Sequence, residues 1–200
     1  MERIVYIYNH KPCEIDKNEV LRYANAVADE QMLSLLNECI NEAVDILSYK
    51  ICYTKFKIER SGDELDLGFA KISSHSLSLC LDGCDEIILF AATVGSAFDR
   101  LIAKYNVISP SKAVLLQALG SERVESLCDE FCRDMAYREA DCGRTLRPRY
   151  SPGYGDLPLE IQTEIFAALD CTKNIGISLS NSLFMTPTKS VTAIIGIYNK

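Results

Sequence analysis

The sequence predicts an α+β fold: a mostly antiparallel, twisted sheet flanked by helices. Three observations carry this. Apolar residues recur at helical spacing in two long segments, strand-like runs stand between them, and the two kinds mix without a regular βαβ repeat. Residues 3–8 (RIVYIY) read as a strand. Asp16 offers a helix N-cap with Glu19 as its capping-box partner, and a helix follows to about Val27. A second helix spans about 30–47, where Met32, Leu35, Leu36, Cys39, Ile40, Ala43, Val44 and Leu47 fall on one side. In 51–59 the alternation of Cys52, Thr54, Phe56 and Ile58 with Lys55, Lys57 and Glu59 predicts a half-buried strand, paired through Ser61–Asp63 with 65–69. A short helix is expected near 74–82, and the continuous apolar run 86–95 is a buried central strand. A short helix covers 96–105. From Ser111 a stripe of Val114, Leu115, Ala118, Leu119, Val124, Leu127, Phe131 and Met135 predicts almost thirty helical residues. Asp156 is expected to cap a helix beginning at Pro158, and strands at 175–180 and 190–198 close the chain.

Composition excludes several classes. The 200 residues include 48% apolar ones, enough for a core, with 10 Gly and 6 Pro, too few for a disordered chain. The net charge is −7 and the sequence pI about 4.9, with no basic run. Phosphate neutralisation drives nucleic-acid binding, so no nucleic-acid partner is expected. No positively charged leader precedes a long apolar stretch, and nowhere do 18 uncharged apolar residues run together; neither a secretion signal nor a membrane partner is expected. Nine cysteines, an odd number, argue for reduced thiols and a cytoplasmic location. Cys80 and Cys84, like Cys128 and Cys132, are four apart, yet only His10 and His75 could extend them, so no metal site is expected. There is no GxGxxG, GxxxxGK[ST] or GxSxG motif.

One stretch stands out: RPRYSPGYGDLP, residues 147–158. Pro148 and Pro152 fix φ and bias Arg147 and Ser151 toward extended backbone, which leaves main-chain groups free to meet a ligand edge. Gly153 and Gly155 permit close approach or positive φ. Arg149 can grip a carboxylate with two parallel hydrogen bonds, and Tyr150 and Tyr154 can stack on a flat ring or face a cation. A ligand with an aromatic base, a carboxylate and a positive centre suits these groups, and S-adenosylmethionine has all three. On these features alone a rigid crossover with surface arginines is an equal reading. Arg144 and Arg147 are expected to face solvent or a partner.

The segment RYSPGY, 149–154, resembles the RxxxGY motif of the activation domain of cobalamin-dependent methionine synthase. LFAATVG (89–95), ALGSERVESL (118–127) and FMTPTKSVTAIIGI (184–197) resemble further parts of that domain, so the likeness covers roughly 85–197. The resemblance implies an activation domain-like fold, with 1–84 as an N-terminal α/β portion and 85–200 as the S-adenosylmethionine-binding portion of one domain. It implies Glu125, Arg149, Ser151, Gly153 and Tyr154 as cofactor-binding residues and no catalytic residue of the chain's own. It further implies a role in methionine biosynthesis: the activation component of a methyltransferase, without independent turnover. In that family S-adenosylmethionine and an electron restore methylcobalamin from inactive cob(II)alamin. No DxHxxG cobalamin motif is present, so the cobalamin is expected on a partner, a methionine synthase lacking its own activation domain. A flavodoxin-like or ferredoxin-like protein is the expected reductant. The resemblance does not place the family's N-terminal acidic contact within 1–84, and Tyr198 does not clearly supply its C-terminal tyrosine. That departure keeps an alternative open: an interaction module that clamps the cobalamin protein without binding ligand. A small-molecule methyltransferase is disfavoured, since no glycine-rich loop follows the first strand.

Overall fold

A computed structural model of the chain describes residues 4–8, 10–61 and 64–199. The expected α+β architecture is the one observed. Strands β1 (Tyr6–Tyr8), β2 (Lys50–Lys57), β6 (Glu86–Thr93), β10 (Ser190–Asn199) and β7 (Arg144–Leu146) form one sheet in the spatial order β1-β2-β6-β10-β7. Every neighbouring pair is antiparallel. β6 lies at the centre, and Ile87 to Thr93 are all buried, because strands cover both edges and helices both faces. Strands drawn from 1–84 and from 85–200 thus share one ladder. Two small ribbons stand outside it: β3 (Glu59–Ser61), β4 (Glu64–Asp66) and β5 (Lys71–Ile72), and β8 (Ser178–Leu179) with β9 (Met185–Thr186).

Successive strand residues point to opposite faces, so each strand feeds two cores. On one face Ile88, Phe90, Ala92, Ala193, Ile195 and Ile197 pack against Leu127, Cys128, Phe131 and Met135 of helix α5 (Pro110–Ala140). On the other, Cys52, Ile87, Leu89, Ala91 and Ile194 meet Leu77 of α3 (His75–Cys80), Ile165 and Leu169 of α6 (Gln162–Leu169), and Cys171 and Ile175 of α7 (Cys171–Ile175). A third cluster wraps the first half of α5 with α1 (Lys17–Ala24), α2 (Glu30–Ala43) and α4 (Ser96–Ile108) through Val20, Leu36, Phe98, Leu116 and Leu119. Each buried Leu, Ile or Phe contributes roughly 1.5–3 kcal/mol by leaving water. The 31 residues of α5 reach roughly 47 Å, long enough to join two of these cores.

Several boundaries differ from the sequence reading. Asp16 caps α1 by accepting from the N–H groups of Asn18 and Glu19, but Glu19 turns outward to Arg22 instead of closing a capping box. The helix ends at Ala24 because Asn25 adopts φ 50. Helix α2 stops at Ala43, short of 47. Arg3, Gly62 and Asp63 fall outside the described residues, and β1 begins at Tyr6. The 65–69 strand is interrupted: Gly68, at φ 75, turns the chain from β4 into β5. The strand expected at 175–180 shrinks to two residues, since Ile175 still belongs to α7. Strand β7 had no sequence signal of its own; Arg144–Leu146 is extended because the far edge of β10 pairs with it.

Candidate functional site

The RPRYSPGYGDLP segment leaves β7 and runs along β10. The N–H of Tyr150 donates to the Ile194 carbonyl (2.8 Å), and the Ile194 N–H donates back (2.9 Å). The extended path expected from Pro148 and Pro152 is therefore pinned to the sheet. The chain then folds on itself: Gly153 N–H donates to Leu157 O (2.9 Å), and Leu157 N–H to Tyr154 O (3.0 Å). Gly153 stands at φ 83. Gly155, at φ 56, has no room for a side chain, as a Cβ there would lie 2.6 Å from the Tyr150 hydroxyl and 2.7 Å from Ser76 Oγ.

This path sets Arg149 against α5. Its Nη2 donates to Glu125 Oε2 (2.5 Å) and lies 3.1 Å from Asp129 Oδ1. Its Nη1 is buried with no hydrogen-bond partner. Around it opens a cavity of about 460 Å³ lined by Glu125, Arg149, Tyr150, Ser151, Tyr154 and Val191. Four residues singled out in the sequence, Glu125, Arg149, Ser151 and Tyr154, thus meet at one cleft. Gly153 does not line it; it shapes the turn that presents Tyr154. That ring is 72% exposed, so it is free to close on a ligand. Tyr150 packs edge-on to it at 6.2 Å, and its hydroxyl donates to Tyr154 O.

Sequence reasoning missed Asp129 and Val191. Asp129 had a usable signal, since it lies four residues after Glu125 on the same helix face. Val191 had none, because only the register of β10 brings it there. A neighbouring cavity of about 380 Å³ joins Glu125, Asp129 and Arg149 to Glu14, Asp16 and Glu19. The N-terminal segment therefore brings acidic groups beside the cleft. Tyr198 does not line the cleft; its ring lies 4.5 Å beneath the Arg147 guanidinium.

Three expectations for this region need correction. Arg144 does not face solvent: it bridges Glu86 and Glu139, each at 2.5 Å, with Glu139 only 3% exposed. Arg147 turns inward, donating to Asp82 O at 2.6 Å. Asp156 does not cap the helix after it, which begins as a 3-10 turn at Leu159. It reaches α3 instead, accepting from Ser74 Oγ (2.6 Å) and from the N–H groups of His75 (2.7 Å) and Ser76 (3.0 Å). The Ser74 hydroxyl and these two N–H groups hold its carboxyl well below the usual 3.8. A lowered folded-state pKa adds stability that is present above the unfolded value and is lost as pH falls below it. In urea melts at about pH 6 and about pH 3, the wild type is expected to lose stability that Asp156→Asn lacks at both. Equal pH dependence of the two proteins would contradict this.

No helix among the described residues is long and apolar enough to cross a membrane. Nor do the described residues hold a group of three or more His, Cys, Asp or Glu able to bind a metal ion. Cys128 is fully buried, and burial pushes the Cys132 thiol up to about 11, so both are neutral thiols near neutral pH.

Fold and cleft together define an α+β domain with an open, charged groove between a long helix and a strand-following loop. Residues 143–199 match the family model of the vitamin B12 dependent methionine synthase activation domain. The fold is similar to that in the crystal structure of the MetH reactivation domain bound to AdoHcy, with a TM-score of 0.69 and 15% identity over 97% of this chain and 78% of that one. The chain is therefore similar to the methionine synthase activation domain, in sequence across its C-terminal quarter and in fold across nearly its whole length. No curated protein matches the sequence.

Proposed function

We propose that this chain binds S-adenosylmethionine in the Glu125–Arg149–Tyr154 cleft and reactivates a cobalamin-dependent methionine synthase carried on another chain. The observation that supports this most is the Arg149 side chain: a buried, unpartnered Nη1 facing no other acceptor of the protein, beside an open cleft. An unsatisfied buried donor costs about 1–3 kcal/mol, and a ligand carboxylate would recover it once the side chain turns Nη1 toward the cleft. Glu125 supplies negative charge for a sulfonium centre, Ser151 a hydroxyl, and Tyr154 a free ring face. The partner's cobalamin supplies the methyl acceptor, and a flavodoxin-like or ferredoxin-like protein supplies the one electron needed to reach methylcobalamin. The exposed Tyr154 places one side of the cleft at the surface, within reach of a docked partner, and bringing the two reactants into contact removes on the order of 7–11 kcal/mol of barrier in favourable cases.

A second reading rests on a specific observation: Arg149 already holds two carboxylates, Glu125 and Asp129, so its charge is balanced without a ligand. On that reading the chain clamps the cobalamin protein and binds no S-adenosylmethionine. One experiment separates them. The chain is mixed with a cob(II)alamin-bearing synthase, S-adenosylmethionine and a low-potential reductant. Recovery of the methylcobalamin spectrum, impaired by Glu125→Gln and Tyr154→Ala, is the expected result. A spectral shift that needs no S-adenosylmethionine and ignores both substitutions would overturn the proposal in favour of the clamp.

A further inference from the structure

A second cleft, of about 380 Å³, lies along α5 from the first. Tyr23, Asn106, Gln117, Ser121 and Lys189 provide its polar lining, and no lining side chain is acidic. In a chain of net charge −7 that absence is informative. Ser121 precedes Glu125 by four residues, about 6 Å along the helix axis, so the clefts are neighbours on one ridge.

Lys189 is the only cation lining it. Its backbone is fixed: the Lys189 carbonyl accepts from Val94 N–H, and the adjacent Thr188 is held through its N–H (2.7 Å) and hydroxyl (2.9 Å) by Asp99. Its stem lies over Gly120, where a Cβ would come within 2.8 Å of Lys189 Cγ. The ammonium therefore reaches the cleft floor because residue 120 has no side chain. There it donates to Ser121 Oγ at 3.0 Å. That hydroxyl gives its own proton to the Gln117 carbonyl (3.2 Å) and brings no charge. Lys112, half-buried, and Arg123, buried, have carboxylates within ion-pair distance: Lys112 has Glu38 and Glu42, and Arg123 has Glu122. Among the described residues no carboxylate stands within that distance of Lys189. Burial lowers its pKa, with Asp99 opposing. A partly buried ammonium with no carboxylate in direct contact is unfavourable, and a bound anion relieves it.

We infer that the Lys189 cleft is an anion subsite, separate from the Arg149 cleft, that takes a phosphate or phosphate monoester. Lys189 and Ser121 would hold the anion, the Gln117 and Asn106 amides would donate to it, and the Tyr23 ring would flank an attached aromatic group. This inference stands independently of the proposed function.

The test follows backbone and side-chain amide signals by NMR while inorganic phosphate, or separately phenyl phosphate, is titrated into the full chain. Saturable shifts at Gln117, Ser121 and Asn106 at millimolar phosphate are expected. Lys189→Met should weaken binding at least about tenfold, as should Gln117→Glu, which keeps the lysine but adds a negative charge, while Arg149→Ala should leave it unchanged. Tighter binding of phenyl phosphate would assign the cleft to an aromatic monoester, and equal binding to phosphate alone. Absence of saturation, affinity kept in Lys189→Met or Gln117→Glu, or shifts confined to Glu125 and Arg149 would each overturn the inference.

Discussion

Replacing Arg123 by methionine should destabilise the protein by about 3–5 kcal/mol, the scale for leaving one member of a buried ion pair unpaired. Arg123 and Glu122 are consecutive on α5, yet their side chains are only 2% and 5% exposed and are paired with each other. Helices normally keep such residues in water. Here the segment before α1 crosses the helix, and Arg123 donates to Cys13 O (2.8 Å) and Glu14 O (3.2 Å). The Asp16 N–H leans on Glu122 at 3.3 Å. Losing the guanidinium strands a buried carboxylate and releases the segment that positions α1. For a domain of this size the Tm should fall on the order of 10 °C. Denaturant melts provide the check. The pair Glu122→Gln with Arg123→Met should recover part of the loss, because the stranded charge is gone. A loss below about 1 kcal/mol in the single variant would show that Glu122 finds another partner.

Arg149→Ala should weaken S-adenosylmethionine binding by about 1.5–3 kcal/mol, roughly tenfold to a hundredfold in Kd. The guanidinium lies where the loop, α5 and the cleft meet, and its Nη1 is a buried donor without an acceptor, as are Arg144 Nε and Arg147 Nε away from the cleft. Removing it would take away the proposed carboxylate grip and leave Glu125 and Asp129, one turn apart on α5, without their shared cation. Arg144→Ala is the matched control. It should leave binding unchanged but lower stability, because Glu139 loses one of its two cations. Calorimetric titration of both variants, beside a thermal melt, separates the effects. Equal losses of affinity would argue that neither arginine meets the ligand directly.

The pattern of gains and losses in reading the chain is physical. The central strand was legible because a strand buried on both faces reads as a continuous apolar run, and the stripe of α5 because one-sided burial imposes a period of 3.6, whatever lies opposite. The backbone path of the 149–154 loop was legible because proline and glycine act on their own backbone. Its grouping with Glu125 rested on resemblance, and the cleft brings the two together. Strand β7 was not legible, since three residues have no period; the open edge of β10 makes them a strand.

The charged groups mark the boundary most clearly. The sequence alone determined that the chain has a core large enough to fold, a central apolar strand, a long helix, and a rigid arginine- and tyrosine-bearing loop. Only the tertiary structure decided the partners of each charge. Asp156 reads locally as a cap for the next helix, yet it binds α3, 80 to 82 residues away, because the turn at Gly155 aims it there. Arg144 reads as a surface cation, yet it meets Glu86, 58 residues away, across the intervening strand β10. Lys189 reads as one lysine in a turn, yet the missing side chain at Gly120 lets it lie where no carboxylate follows. Backbone preference acts over a few residues and is written in the chain; a long side chain can choose among many distant partners, and packing makes that choice.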